Sequence, residues 1–230
     1  RIIAKTHIDT IIIKEKNTSL IISVDCGITA VEEIVYGNEL GIDTVVCDHH
    51  QAKDVLPPAF AILDPIKPGC NYPFKHLSGA GVAFKLARAV GARIGKKSLP
   101  LKYLDLVALA GAADIVPLVD ENRTLVREGL DLINANPRPG ILALLKSAKI
   151  EPGNLSAGQI VFTIAPRINA VGRLGDANRA VELFTTTDPK RAMELASVLE
   201  GENTARRRID EKTFGEALKL VEDEHDLAAD

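Results

Sequence analysis

Tryptophan is absent from the 230 residues, and aromatic residues make up only 4% of them. A core built from this chain must therefore be mostly Ile, Leu, Val and Ala, and an apolar fraction of 46% is enough to fill one. There are only three cysteines, an odd number without paired spacing, which excludes a disulfide framework. No apolar run reaches the roughly 18 residues of a membrane-spanning helix, and no signal peptide is visible. These absences point to a reducing, cytoplasmic compartment with no membrane partner. Net charge is small, −3, so composition gives no global argument for nucleic acid. Any polyanion would have to be held by a local patch or by metal ions. The length suits one large domain or two small ones. The chain begins at Arg1 rather than Met and reads as a piece of a longer protein.

Two apolar runs each end on a carboxylate. Ser19 to Val24 leads into Asp25, and Asp43 to Cys47 leads into Asp48-His49-His50. Runs of this kind read as buried parallel strands. In open α/β sheets, ligands bind beyond the carboxyl ends of the strands. Between the runs, Thr29 to Leu40 is predicted helical, with Thr29 as N-cap, Glu32 as capping-box partner and Gly41 as stop. Strand, helix, strand with short links is a βαβ unit. Short strands are also expected at Thr10 to Ile13 and Ala59 to Leu63.

From Ser78 onward the pattern is helical. Ser78-Gly79-Ala80-Gly81 opens a helix to about Arg93. The glycines allow either a phosphate at the helix N-terminus or tight helix packing, and both readings stay open. Further helices are expected at Leu101 to Ala113, Arg123 to Asn134, Gly140 to Ala148, Ser156 to Ile164, Asp176 to Phe184 and Pro189 to Leu199. Pro166 is expected to interrupt the helix that starts at Ser156. Asn203 to Glu222 reads as a separate, polar helix with a thin apolar stripe, suited to connect domains. The fold class is therefore α/β. A parallel-sheet, Rossmann-like core and the mainly helical part after it make one domain over residues 1–200, and a connector helix toward a further domain occupies 201–230.

The chemistry gathers at the strand ends. Adjacent strands lie roughly 5 Å apart, so Asp25 and the Asp48-His49-His50 group can share an ion. Successive side chains at a strand end diverge, so one histidine can ligate metal while the other faces substrate. Asp114 closes a very apolar helix, where a lone charge is expensive unless paired or bound to metal. The alternative for Asp114 is a helix-terminal Asp with local backbone bonds. Mixed Asp and His ligands suit Mn²⁺, Mg²⁺ or Zn²⁺, and a metal-dependent hydrolase is the leading reading. Cys26 and Cys47 adjoin these acids, and packing explains them more simply than zinc ligation.

A second constellation, Ala165 to Gly175, holds Arg167, Asn169, Arg173 and two glycines, and is expected to be an irregular loop. Arginine binds phosphate through a planar fork. The loop is either a substrate-phosphate clamp or an arginine pair held by acids. Arg206-Arg207-Arg208, surrounded by acids, reads as a solvated face.

Together these stretches resemble the DHH phosphoesterase superfamily, and within it the single-strand-specific 5′→3′ DNA exonucleases. The likeness is carried by Val24 to Thr29, Asp48-His49-His50, Leu56 to Ala59, Tyr72 to Lys75, Gly81 to Leu86, Ala113 to Pro117, Glu121 to Arg123 and Ala165 to Gly175. It implies two Mn²⁺ or Mg²⁺ ions, bridged by Asp25 and further held by His49 and Asp114. Asp48 is implied as a ligand or as an orienter of the histidines, and His50 as a contact to the scissile phosphate. Arg167, Asn169 and Arg173 would hold the DNA backbone. The catalytic set is then Asp25, His49, His50 and Asp114.

The implied reaction is hydrolysis of single-stranded DNA to 5′-mononucleotides in repair and recombination, with a helicase and a single-strand-binding protein as partners. An oligoribonuclease, a cyclic-dinucleotide phosphodiesterase or a non-catalytic DNA-binding relative is the alternative. The family's first Asp-x-Asp motif and its Gly-Gly-Gly-His domain are not found in the chain, which by itself is expected to bind metal weakly and to have little activity.

Overall fold

The computed structural model describes residues 18–224. The strand expected at Thr10 to Ile13 lies outside them. Two compact units divide the chain, the first ending at Leu132 and the second beginning at Ile133.

The first unit is built on three parallel strands, β1 (Leu20–Val24), β2 (Asp43–Cys47) and β3 (Ala61–Leu63), in the order β1-β2-β3. The register pairs Val24 with Cys47, and Cys47 with Leu63. All three strands therefore end at one edge, and the residues that follow them meet there. Helix α1 (Val31–Glu39) crosses from β1 to β2 and buries Ile34 against Val46. Burying a side chain of that size is worth about 1.5–3 kcal/mol. Helix α2 (Gly79–Arg93) brings Val82, preceded by Leu77, against Cys47 and Phe74. A 3₁₀ turn (Pro100–Tyr103), α3 (Leu104–Ala113) and α4 (Asp120–Ala135) follow.

Two details differ from the sequence reading. The first helix starts at Val31, and Thr29 is exposed and makes no cap. The preceding turn is set instead by tertiary contacts: Ile28 N–H donates to Asp48, and Ala30 N–H donates to Gly27 O. Strand β1 is also not buried on both faces, since Leu20, Ile22 and Val24 are each about half exposed among the described residues.

The second unit is helical, with α5 (Pro139–Ser147), a single turn α6 (Ala157–Gln159), a π-helical turn (Ile160–Ile164), α7 (Ala165–Leu174), α8 (Asn178–Thr185) and α9 (Pro189–Glu224). Ile141, Leu144, Ile160, Ile164, Leu183 and Leu199 form its fully buried interior. The stretch expected to be an irregular loop is the helix α7. Pro166 sits in its first turn, where a missing N–H costs least. The wider π turn ahead of it lets the chain stay helical. The two helices expected at Pro189 and Asn203 are one 36-residue helix, because α9 packs on α5, α7 and α8. The position 200/201, where the sequence suggests a domain boundary, lies inside α9. Among the described residues no helix is long and apolar enough to cross a membrane.

Candidate metal centre

The carboxyl edge of the sheet carries an Asp immediately after each strand: Asp25, Asp48 and Asp64. Their surroundings give them different chemistry. Asp25 turns off β1 with φ +63°, a left-handed conformation that Asp tolerates better than most residues. Its N–H still donates to Cys47 O at 2.9 Å, so the turn is anchored to β2.

Asp48 is buried, 1% exposed, and its carboxylate is fully engaged. Oδ2 accepts from Ile28 N–H at 2.9 Å. Oδ1 accepts from the backbone N–H of His49 (2.8 Å) and of His50 (3.3 Å), and lies 2.7 Å from His50 Nδ1. Burial alone would raise this carboxyl's pKa, but the hydrogen bonds from Ile28, the His50 ring and the two backbone amides outweigh it and hold it below the usual range. Asp48 thus ties the β1–α1 turn to the end of β2 and orients the His50 ring.

His49 is the centre of the cluster. Its side chain is 15% exposed, and Nε2 lies 3.1 Å from Asp25 Oδ1 and 3.4 Å from Asp114 Oδ2. Both distances are within hydrogen-bond range, yet Nε2 is aligned on neither carboxylate and is buried without a hydrogen-bond partner. The contact with Asp25 raises the His49 pKa against the effect of burial, with Asp114 adding to it, and the same contact lowers that of Asp25. Donor atoms of Asp25, His49 and His50 also fall within 4.8 Å of one another. Two carboxylates around an orphaned imidazole nitrogen fit a hard or borderline divalent cation.

Asp114 joins the cluster for a reason other than the one expected. It is not enclosed by the apolar helix. Its side chain is 42% exposed, because α3 ends there and the chain opens to solvent at Ile115. Asp64 is the opposite case. It is 2% exposed, Oδ1 accepts from Ile66 N–H at 2.9 Å, and burial pushes its pKa up.

The sequence reading did not single out Asp64, nor the network in which Tyr72 O–H donates to Glu121 (2.8 Å) and Lys85 pairs with Glu121 (2.5 Å). Nor did it find that Asn122, donating to His76 O (2.6 Å) and Pro117 O (3.1 Å), fastens the start of α4 to the segment before α2. Cys47 is buried and packs in the core, the simpler of its two readings.

In the second unit, Arg167 is 6% exposed, donates to Thr163 O at 2.6 Å and pairs with Glu200 of α9. This is the pairing reading rather than the phosphate clamp: the guanidinium is spent on packing α7 against α9. Asn169 is exposed, and the Arg173 side chain lies outside the described ones. Arg206 is half-buried against Asn203 and Asp210.

The chain is similar to proteins of known sequence and structure. Residues 2–111 match the N-terminal domain of the DHH family. The single-stranded-DNA-specific exonuclease RecJ of Bacillus subtilis (strain 168) is 43% identical over 210 residues, covering 91% of this chain and 26% of that protein. RecJ of Escherichia coli (strain K12) is 38% identical over 90% of this chain and 38% of its own length. A crystal structure of exonuclease RecJ bound to manganese superposes with a TM-score of 0.81 at 35% identity, over 92% of this chain and 53% of that one. RecJ from Thermus thermophilus in complex with Mn²⁺ gives 0.81 at 34% identity, over 92% of this chain and 32% of that one. The chain thus spans well under half the length of the curated relatives it matches. Over residues 2–111 it is similar to the N-terminal domain of the DHH family, and over about nine-tenths of its length to RecJ.

Proposed function

We propose that the Asp25–His49–Asp114 cluster holds divalent metal for hydrolysis of phosphodiester bonds in single-stranded DNA, as part of a RecJ-like exonuclease. The observation that carries this reading is the buried, unpartnered His49 Nε2 set between two carboxylates. Mn²⁺ or Mg²⁺ is the cation, since the relatives' structures are described with those ions and two of the three donors are oxygens. When bound, such ions neutralise phosphate charge and lower the pKa of water.

Asp25 belongs both to the pair with His49 and to the group with His50, so it is suited to bridge two ions. Asp114, at a solvent-open helix end 3.4 Å from His49 Nε2, completes the set. Asp48 acts one step back. Its Oδ1 accepts from His50 Nδ1–H and so orients that 56%-exposed ring for contact with the scissile phosphate. Asn169 and Arg173 are the residues of α7 proposed to contact the DNA backbone, whereas Arg167 holds the helix they stand on.

A chimera tests the proposal. This chain replaces the matching segment of Bacillus subtilis RecJ, and the product is assayed with Mn²⁺ on 5′-labelled single- and double-stranded DNA. Mononucleotide release from the single strand, abolished by His49→Ala, is the expected result. A folded chimera that degrades neither substrate, or a His49→Ala variant with normal turnover, overturns it.

A further inference from the structure

Gly79 opens α2 directly against Asp25. A methyl group on its Cα would lie 2.6 Å from Asp25 Cβ and 2.8 Å from Asp25 Cα, and would overlap Oδ1, the oxygen that faces His49. Side-chain carbons do not approach one another so closely, so any residue but glycine must push Asp25 or α2 aside.

Neither partner is free to move. Asp25 is held by its left-handed turn and its hydrogen bond to Cys47. The first turn of α2 is held by Ser78, 3% exposed. Its hydroxyl accepts from Gly81 N–H at 3.2 Å, and its carbonyl accepts from Val82 N–H at 2.9 Å. Gly81 is different. A methyl there meets nothing closer than 3.4 Å, an ordinary contact. Of the two glycines at this helix start, only Gly79 answers to a close approach, and what approaches is the acidic side chain of the cluster. The N-terminal end of a 15-residue helix also favours a carboxylate over its neutral form.

We propose that Gly79 is a positioning residue for the metal centre: its missing side chain lets α2 seat Asp25 with Oδ1 toward His49 Nε2. This rests on the reading of the cluster as a divalent-metal site. Mn²⁺ binding to the chain is measured by calorimetry for the wild type, Gly79→Ala and Gly81→Ala, with thermal unfolding of each in EDTA. Gly79→Ala weakens Mn²⁺ by about tenfold or more, the scale on which residues behind metal ligands act. Gly81→Ala stays within about twofold, well below that scale. A Gly79→Ala chain that binds Mn²⁺ like the wild type overturns the proposal.

A wild-type chain that binds no Mn²⁺ counts against the metal reading instead, and the positioning claim is then decided by a second measurement. The Tm loss caused by Gly79→Ala is compared in the wild-type and Asp25→Gly backgrounds. Asp25→Gly removes the Cβ and Oδ1 that the methyl strikes, leaving only the contact with Cα, and supplies a residue at ease at φ +63°, so the loss shrinks there. Equal losses in both backgrounds, or failure of both Gly79→Ala chains to fold, overturn the proposal.

Discussion

Asp48 carries the heaviest hydrogen-bond load at the strand edge, accepting from three backbone amides and one imidazole while almost wholly buried. Asp48→Asn keeps the shape but turns one acceptor into a donor facing an N–H. The loss of a charged acceptor beside buried donors costs about 1–3 kcal/mol of stability, measurable by urea unfolding at neutral pH. The pH dependence has a definite sign. The folded pKa lies below the ordinary value of 3.8, so the stabilisation by Asp48 is complete above that value. It is lost as pH falls through the lower folded pKa. Wild type and Asp48→Asn therefore differ by a constant amount above about pH 4 and converge as pH falls below it. A difference that stays unchanged below about pH 4 contradicts this account.

At this scale the sequence was a good guide to which side chains meet and a poorer one to why. Asp25, His49 and Asp114 stand together, as their positions at strand and helix ends suggested. Asp114, however, is solvent-exposed, and Gly79 left two readings that only a close approach in space could separate. Arg167 shows the limit most clearly. An arginine beside prolines and glycines looks like a loop clamp until its acidic partner, 33 residues on, is seen to be in reach.

Elements with local signals were legible. The parallel strands follow from their apolar runs, and β2 occupies the expected residues Asp43–Cys47. The helices of the second unit were legible only in part, because their ends depend on packing rather than caps. Gly201 and the polar stretch around it suggested a break, yet α9 runs through it. A methyl at Gly201 meets nothing within 4 Å, so Gly201→Ala gains helix propensity at no steric cost and stabilises by about 0.5–1 kcal/mol.

Gly129 in α4 is the contrasting case. A methyl there would overlap Leu104 O and Ala108 Cβ of α3, so Gly129→Ala destabilises by about 1–3 kcal/mol despite the same gain in propensity. Thermal unfolding of the two variants shifts in opposite directions. Shifts of the same sign would contradict the assignment of α9 as one continuous helix packed independently of residue 201.

For the whole molecule, the sheet's carboxyl edge collects one acid from β1, two histidines from β2, a glycine-opened helix start and the acid at the end of α3. These come from residues 25 to 114, a separation no local pattern encodes, and the parallel order of the strands is what makes them neighbours. The central claim is that this convergence binds a divalent cation. The most direct test is diffraction from crystals of the chain soaked in Mn²⁺, with anomalous scattering used to locate the ion. The account predicts a manganese peak within about 2.3 Å of His49 Nε2 and of an oxygen from Asp25 or Asp114, absent in His49→Ala crystals. A peak elsewhere, with His49 still unligated at saturating Mn²⁺, would contradict it.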